Sequence, residues 1–443
     1  MTAPAAASDA RDVLARATVA TCYERSGYYR SRLDALGVEP GDIAGVDDLE
    51  RLPVLLGKDD ERELQEHSRA ELGHPFGEHL CVDPAEVVAV ASTSGTTGAP
   101  TFYAFTAQDV ATTDELWGRA LAQAGVTRTS VVLQGFGLSM FLAGYPLARA
   151  VERLGAQIVP VGAEAGTERL LSVARLVRPS VLLCTPSYAR YLIEKAPEVV
   201  AELDLRSIIC AGEPGAGLPE IRSAIEDATG ATVYDALGGA HGIMNASTGA
   251  HPYDGMVVLG DDCSVQQLID PETREPVPIP DDGRPAYGER VKTTLRWQAQ
   301  PQLRSSVGDV YEMRRVRDDD GRLTTRIKVI GRTDDLLIVK GVKLYPAAAR
   351  DLVAGFAPRT SGEFRIVLHG PPPRVEPPLR LKVERGGDAR ADEDSRLAGD
   401  IARAMHERLS VRPEIEVVAA GALERTSHKT RYVEIVERGE AEC

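Results

Sequence analysis

From residue 107 to residue 235 the chain alternates short apolar runs with longer stretches whose apolar positions recur at helical spacing. The runs at 131–134, 157–161, 180–184, 207–211 and 232–235 predict strands, and the amphipathic stretches at 114–124, 142–154 and 167–177 predict helices between them. Such alternation builds βαβ units and a largely parallel sheet. Right-handed crossovers then gather strand ends and their loops along one edge, where ligands collect.

Upstream, residues 10–36 carry a helical pattern, and a Leu52-Pro53-Val54 turn follows a polar connector. Val87-Val88-Ala89-Val90 reads as a short buried strand leading into a glycine- and hydroxyl-rich run. After about residue 255, turns rich in Pro and Asp separate β-rich pieces at 265–269, 290–295 and 326–330, which predicts a more antiparallel region. A last unit begins near Gly331-Arg332-Thr333-Asp334-Asp335, with helices expected at 347–354 and 392–409 and strands at 364–368 and 379–384. The Pro-rich stretch 370–378 reads as a surface loop. The fold class expected is therefore α/β: a large N-terminal domain with mostly parallel sheets and a β-rich subregion, then a small α+β C-terminal domain.

Composition narrows the picture without changing it. The 443 residues are 43% hydrophobic and 26% charged, ample for more than one core. A formal charge of −15 argues against broad nucleic-acid binding, since an acidic surface repels a phosphate backbone. Cys22, Cys81, Cys184, Cys210, Cys263 and Cys443 form no CxxC pair and no zinc spacing with histidine, so they read as reduced, mostly buried thiols. The first residues lack the basic and apolar regions of a signal peptide, and no apolar run approaches the ~20 residues of a membrane span. A cytoplasmic protein with no membrane and no nucleic-acid partner is expected.

The candidate chemistry starts at Ser92-Thr93-Ser94-Gly95-Thr96-Thr97-Gly98. Glycines and small hydroxyl residues in succession let backbone N–H groups approach phosphate oxygens, and the hydroxyls add donors. The Gly-Lys-Ser/Thr of a Walker loop is missing. A plain flexible turn is the bland reading, which the density of the run after a strand disfavours. Further along stand Ser306-Val307-Gly308-Asp309, where a carboxylate after a turn glycine can accept both hydroxyls of a ribose, and Arg332, whose planar fork suits ribose or phosphate oxygens. Taken singly, these are more often ordinary charged turns.

In their order the motifs resemble the adenylate-forming superfamily of acyl-CoA synthetases, adenylation domains and luciferases, over roughly residues 10–435. The features similar to its phenylacetate–CoA ligase branch are Gly135-Phe136-Gly137-Leu138, Ala211-Gly212-Glu213-Pro214, Ile269-Asp270-Pro271-Glu272-Thr273 and Gly341-Val342-Lys343-Leu344-Tyr345-Pro346. The resemblance implies that residues 92–98 cradle the pyrophosphate of ATP and that Gly212, Glu213, Pro214 and Asp235 border the adenine. It also implies that Asp309 and Arg332 hold the ribose. Phe136, Gly137, Ala236, Gly238 and Gly239 fall where relatives wall the acid pocket. Asp334 becomes the hinge between an N-terminal adenylation domain, 1–333, and a mobile C-terminal domain, 334–443. The latter carries Lys429, similar to the catalytic lysine of the family's terminal loop, whose ammonium can neutralise charge at the α-phosphate.

The departures are equally specific. The family's Tyr-Gly-x-x-Glu element aligns with Gly238-Gly239-Ala240-His241-Gly242, with histidine in place of the acid. A neutral imidazole can donate to a phosphate or substrate oxygen but is a poorer Mg²⁺ partner than a carboxylate; a purely structural histidine is the competing reading. Ala99 stands where many relatives carry lysine, Ala349-Arg350 replaces a common Ile-Glu, and only Cys263 lies where some relatives bind zinc, so no protein metal site is expected. The implied activity is ATP- and Mg²⁺-dependent adenylation of a small, aromatic carboxylic acid in specialised biosynthesis. Transfer follows to an acceptor, CoA by default or an amine or hydroxyl. Two other readings stay open: activation of nitrite to diazotise an aryl amine, and a nucleotide-binding regulator that has lost catalysis. The missing glutamate motivates the second, and Lys429, Asp309 and Arg332 oppose it. A homodimer rests on the resemblance alone.

Overall fold

The computed structural model describes residues 3–92, 100–239, 241, 243–318, 321–340, 342–370, 372–423 and 432–436. The chain divides into two compact units, residues 1–308 with 312–328, and residues 309–311 with 329–443.

In the first unit β1 (Ala89–Ser92) and β2 (Phe102–Phe105) form an antiparallel ribbon. Then come β3 (Val131–Gln134), β4 (Gln157–Val159), β5 (Val181–Cys184), β6 (Ser207–Cys210) and β7 (Thr232–Gly239), with helices Ala107–Gln123, Tyr145–Leu154, Thr167–Val177, Pro186–Lys195, Pro197–Glu202 and Pro219–Thr229 between them. The pairs β4–β3, β3–β5, β5–β6 and β6–β7 are all parallel. Alternate strand residues supply two cores: Val132, Val181, Leu183 and Ile209 pack with Trp117, Leu147 and Val151, while Leu133, Leu182, Cys184 and Ile208 pack with Leu170, Leu192 and Ile225. Helices on both faces explain the apolar runs in the middle of these strands, with Gln134, Ser207 and Thr232 at strand ends.

β7 is the turning point of the sheet. It runs parallel to β6 over its first half and antiparallel to β8 (Ile243–Ala246) over its second. β9 (Met256–Val258), β10 (Ser264–Ile269), β11 (Pro276–Val277), β12 (Ala286–Thr294), β13 (Asp309–Arg317) and β14 (Leu323–Arg332) complete a sheet ordered β11-β10-β12-β13-β14-β9-β8-β7-β6-β5-β3-β4. The antiparallel character expected after residue 255 is seen in β8–β9, β9–β14, β10–β11 and β10–β12. Helices Ala3–Arg25 and Gly27–Ala35 pack Val19, Cys22, Tyr29 and Leu33 on Val265, Leu295 and Leu303.

The second unit has its own core. β15 (Leu337–Val339), β16 (Val342–Leu344) and β18 (Arg374–Val375) form one small sheet. β17 (Thr360–Leu368), β19 (Leu379–Arg385), β20 (Pro413–Val418) and β21 (Val433–Ile435) form a second, ordered β20-β19-β17-β21. Phe364, Ile366, Leu381 and Val383 pack there on Leu352 and Val353 of helix Pro346–Ala354 and on Leu397, Ile401 and Met405 of helix Asp394–Leu409.

Two local expectations change. The helical pattern at 10–36 is two helices, because Ser26 turns extended and its side chain caps the second by accepting from the Tyr29 N–H at 3.3 Å. The run Val87–Val90 is not a buried strand: pairing begins at Ala89, and Val88 and Val90 are exposed. A two-stranded ribbon covers only one face, so alternate valines reach solvent. Among the described residues no helix is long and apolar enough to cross a membrane.

Candidate active site

The parallel strands of the first unit deliver their C-terminal ends side by side. Gly135 follows β3 and donates its N–H to Leu183 O at 2.7 Å, so the Gly135–Leu138 turn is tied to the neighbouring strand. Glu164 fastens the turn from below, accepting the Leu138 N–H at 3.1 Å. A Cβ on Gly137 would lie 2.7 Å from its Oε1, so a side chain there would displace the Glu164 carboxylate from the turn. Phe136 belongs to the apolar cluster with Trp117, Ala236 and Met244, so its ring is core.

Beyond β6, Gly212 takes φ +89°, a conformation suited to glycine, and turns the chain into Glu213 and Pro214. Glu213 Oε1 accepts the Ser187 N–H at 2.9 Å and so links the ends of β5 and β6. On β7, Asp235 donates its N–H to Ser247 Oγ at 2.9 Å, and its Oδ2 accepts from the Tyr253 hydroxyl at 2.7 Å. Burial, then the Asp235 charge, raises the Tyr253 pKa, so the phenol stays a donor. The edge thus collects Gly137, Gly212, Glu213, Pro214, Asp235 and Ala236 from segments that are distant in sequence. Gly238, one turn of the pleat further on, faces Trp117: a Cβ there would meet its Cζ2 at 2.8 Å.

Of the hydroxyl-rich run only Ser92 is described; Thr93, Ser94, Gly95, Thr96, Thr97, Gly98 and Ala99 lie outside the described residues, as does Lys429. Ser92 ends β1, is buried, and donates its N–H to Met140 O at 2.8 Å.

His241 occupies the β7–β8 turn at φ +66° and is 1% exposed. Its ring meets the edge of Tyr103 at 4.9 Å and Trp297 at 5.6 Å, centroid to centroid. Neither ring nitrogen is hydrogen-bonded among the described residues. Burial first, then the charges of Lys292 and His79, push its pKa well below the usual imidazole range, so the ring is neutral at neutral pH. Tyr103 sits on β2 in register with Ala91, next to Ser92. His241 therefore packs on the ribbon that flanks residues 93–99.

The enclosure around His241 has no signature in the sequence. Glu61, His79, Lys292, Gln300 and Gln302 are all buried polar residues converging on it or on each other. Asp109 holds the 297–300 segment by accepting the N–H groups of Gln298 at 2.7 Å and Ala299 at 3.0 Å. No motif marks these residues.

In the second unit, Asp309 opens β13 and Arg332 closes β14. Arg332 Nη1 lies 3.2 Å from Asp309 Oδ1, and Nη2 lies 3.4 Å from Asp334 Oδ2. One guanidinium is thus shared between the carboxylate expected at the ribose and the carboxylate expected at the hinge.

The AMP-binding enzyme C-terminal domain family matches residues 341–434. The phenylacetate–coenzyme A ligase of Thermus thermophilus is 30% identical over 436 residues, covering 92% of this chain and 91% of its own. That of Pseudomonas putida is 28% identical over 421 residues, covering 93% and 90%. A crystal structure of 2-hydroxyisobutyryl-CoA ligase in the postadenylation state, in complex with R3-HIB-AMP, superposes with a TM-score of 0.84 at 27% identity, covering 98% of this chain and 90% of that one. Fold, ordered edge and relatives together define an adenylate-forming enzyme, an AMP-forming ligase. Within that superfamily the chain belongs to the phenylacetate–CoA ligase-like branch.

Proposed function

We propose that the chain adenylates a small aromatic carboxylic acid with ATP and passes the acyl group to CoA, in specialised biosynthesis. The observation that carries this reading is the likeness, along nearly the whole chain, to ligases that join acids to CoA. A carboxylate oxygen attacks the α-phosphorus, and pyrophosphate leaves. The thiol then attacks the acyl carbon, loses its proton, and AMP leaves. Positioning and charge stabilisation dominate such steps. Residues 92–98 receive the pyrophosphate, Gly212–Pro214 and Asp235 border the adenine, and Asp309 accepts the ribose hydroxyls. Lys429 supplies the cation at the α-phosphate, and Asp334 is the hinge between domains 1–333 and 334–443.

Among the described residues, no group of three or more His, Cys, Asp or Glu side chains is arranged to hold a metal ion. His241, neutral and enclosed by aromatic edges, does not fit a hard, oxygen-seeking cation. Mg²⁺ would therefore enter on the phosphates of the nucleotide, where it would offset their charge.

The deciding experiment is acid-dependent exchange of labelled pyrophosphate into ATP, run across aryl acids, alkyl acids and nitrite. Product identification with CoA, amines and hydroxyl compounds follows. Exchange strongest with aryl acids and a CoA thioester product are expected. Exchange supported only by nitrite, or only by alkyl acids, would overturn the substrate class, and an amide or ester product would overturn the acceptor.

A further inference from the structure

Tyr253 follows β8 and lies outside every motif of the sequence, yet it meets several of the segments that build the edge. Its hydroxyl donates to Asp235 Oδ2 on β7 at 2.7 Å. Its phenol presses on the loop that carries Gly212, Glu213 and Pro214. A Cβ on Gly217 would lie 2.8 Å from Tyr253 Cε1 and 3.0 Å from the hydroxyl oxygen. From helix Pro219–Thr229 the Arg222 guanidinium lies over the ring at 5.5 Å, and Lys328 Nζ of β14 lies over it at 5.6 Å. A cation–π contact holds a ring best when the cation is desolvated, and Arg222 is buried. Arg222 is itself fixed, since Nη2 donates to Val233 O at 2.5 Å.

The hydroxyl is not needed to hold its own segment. The Asp254 carbonyl accepts from Arg314 Nη2 at 2.6 Å, and Met256 and Val257 pair with Ile327 and Arg326 of β14. Nor is it needed for the backbone of Asp235. That N–H donates to Ser247 Oγ at 2.9 Å, the carbonyl accepts the Ser247 N–H at 2.8 Å, and β7 pairs Asp235 with Cys210. What the phenol adds is the direction of the Asp235 carboxylate, through a hydrogen bond strengthened by the charge of its acceptor.

We propose that Tyr253 is a positioning residue for nucleobase selection: its hydroxyl orients the Asp235 carboxylate to accept from the 6-amino group of adenine. The proposal rests on the reading above that Asp235 borders the adenine. Of the two acids at this edge, Glu213 is turned to the Ser187 N–H at 2.9 Å, and Asp235 is the one that meets the base. An ionised carboxylate only accepts, so it matches a 6-amino group and opposes the 6-keto oxygen of hypoxanthine. Held in one direction, it cannot avoid that repulsion, and the wrong base is rejected. A carboxylate that can rotate turns away from the keto oxygen, and the selection weakens.

The test is calorimetric binding of AMP and IMP to the full chain, with pyrophosphate exchange from ATP and ITP alongside. The wild type should bind AMP about tenfold or more tighter than IMP. Tyr253→Phe keeps the ring on Gly217, Arg222 and Lys328 and removes only the hydroxyl. It should cut that preference by about five- to tenfold, raise KM for ATP by a similar factor, and change kcat by less than about twofold. Gly217→Ala pushes on the phenol without altering it and should cut the preference in the same direction, so it decides the matter if Tyr253→Phe fails to fold. A wild-type preference that survives the variant, or a wild type that binds AMP and IMP equally, overturns the proposal. A merely structural Tyr253 would weaken both nucleotides together and leave their ratio unchanged. Asp235→Ala separates the two claims. If it keeps the preference, the adenine reading of Asp235 fails; if it loses the preference while Tyr253→Phe keeps it, only the role of Tyr253 fails. A wild type that binds neither nucleotide sinks the adenylation reading and the proposal with it.

Discussion

The imidazole of His241 stands edge-on to the ring of Tyr103, 4.9 Å between centroids at 88°, inside an enclosure where it is 1% exposed. His241, which the sequence reading sets where the family carries glutamate, is therefore packed like a core side chain against the ribbon that leads to residues 93–99. A carboxylate in the same place would be buried among aromatic edges, with its charge opposed mainly by Lys292. His241→Glu should lower the unfolding free energy by roughly 2–4 kcal/mol at neutral pH and by less at acid pH, where the new carboxyl is protonated. Urea denaturation at two pH values measures this. A stability equal to wild type at both would show that the turn opens the site to water.

Glu61 makes a pH prediction for stability. Its folded pKa, about 7, lies above its ordinary 4.5, so the folded state holds a proton that the unfolded state has lost. The contribution is fully present below the ordinary value and is lost as pH rises from there to about 7. Glu61→Gln removes the titration, so its stability relative to wild type should climb across that window by at most about 3 kcal/mol and then stay flat. His79 acts oppositely: its stability is lost as pH falls from 6.5 toward about 4, in both proteins. Thermal melts across the pH range separate the two, and a difference independent of pH would refute the Glu61 assignment.

Gly238 leaves no room for a side chain on the face toward Trp117. A Cβ would approach Trp117 Cζ2 at 2.8 Å and Met244 Cε at 3.1 Å, and the indole is fixed in the core. Gly238→Ala should cost roughly 1–3 kcal/mol through overpacking. A melting temperature unchanged from wild type would mean that the core yields more easily than its packing implies.

Asp309 and Arg332 form an ion pair in which each side chain is about a quarter exposed, 25% and 24%. Such a pair contributes only about 0–1 kcal/mol to stability. Asp309→Ala should therefore leave the melting temperature within a few degrees while raising KM for ATP about tenfold or more, through loss of the ribose acceptor. A large loss of stability with KM unchanged would assign the pair to folding alone.

Lys429 lies outside the described residues, and its role is tested by chemistry. Lys429→Ala should reduce pyrophosphate exchange by about 100-fold or more, as expected for a lost electrostatic contact to the transition state. It should spare thioester formation from a preformed acyl-adenylate. Equal loss of both steps would reject a lysine that serves adenylation only.

The alternation of apolar runs with amphipathic stretches is enough to place β3, β5, β6 and helix Thr167–Val177 to within a residue or so. A strand buried on both faces is apolar through its middle, and that pattern survives in one dimension. The ordered motifs likewise single out Gly212, Glu213, Asp235, Asp309 and Arg332 along the linear chain. What the sequence could not contain was environment. Whether His241 meets solvent, a phosphate or an aromatic edge depends on Tyr103 and Trp297, which are remote from it in sequence. The exposure of Val88 and Val90 follows from a ribbon with one covered face. The Glu61–His79–Gln300 set exists only because a helix, a loop and the segment after β12 converge. Burial and pairing are collective properties of the folded chain, so only the tertiary structure could decide them.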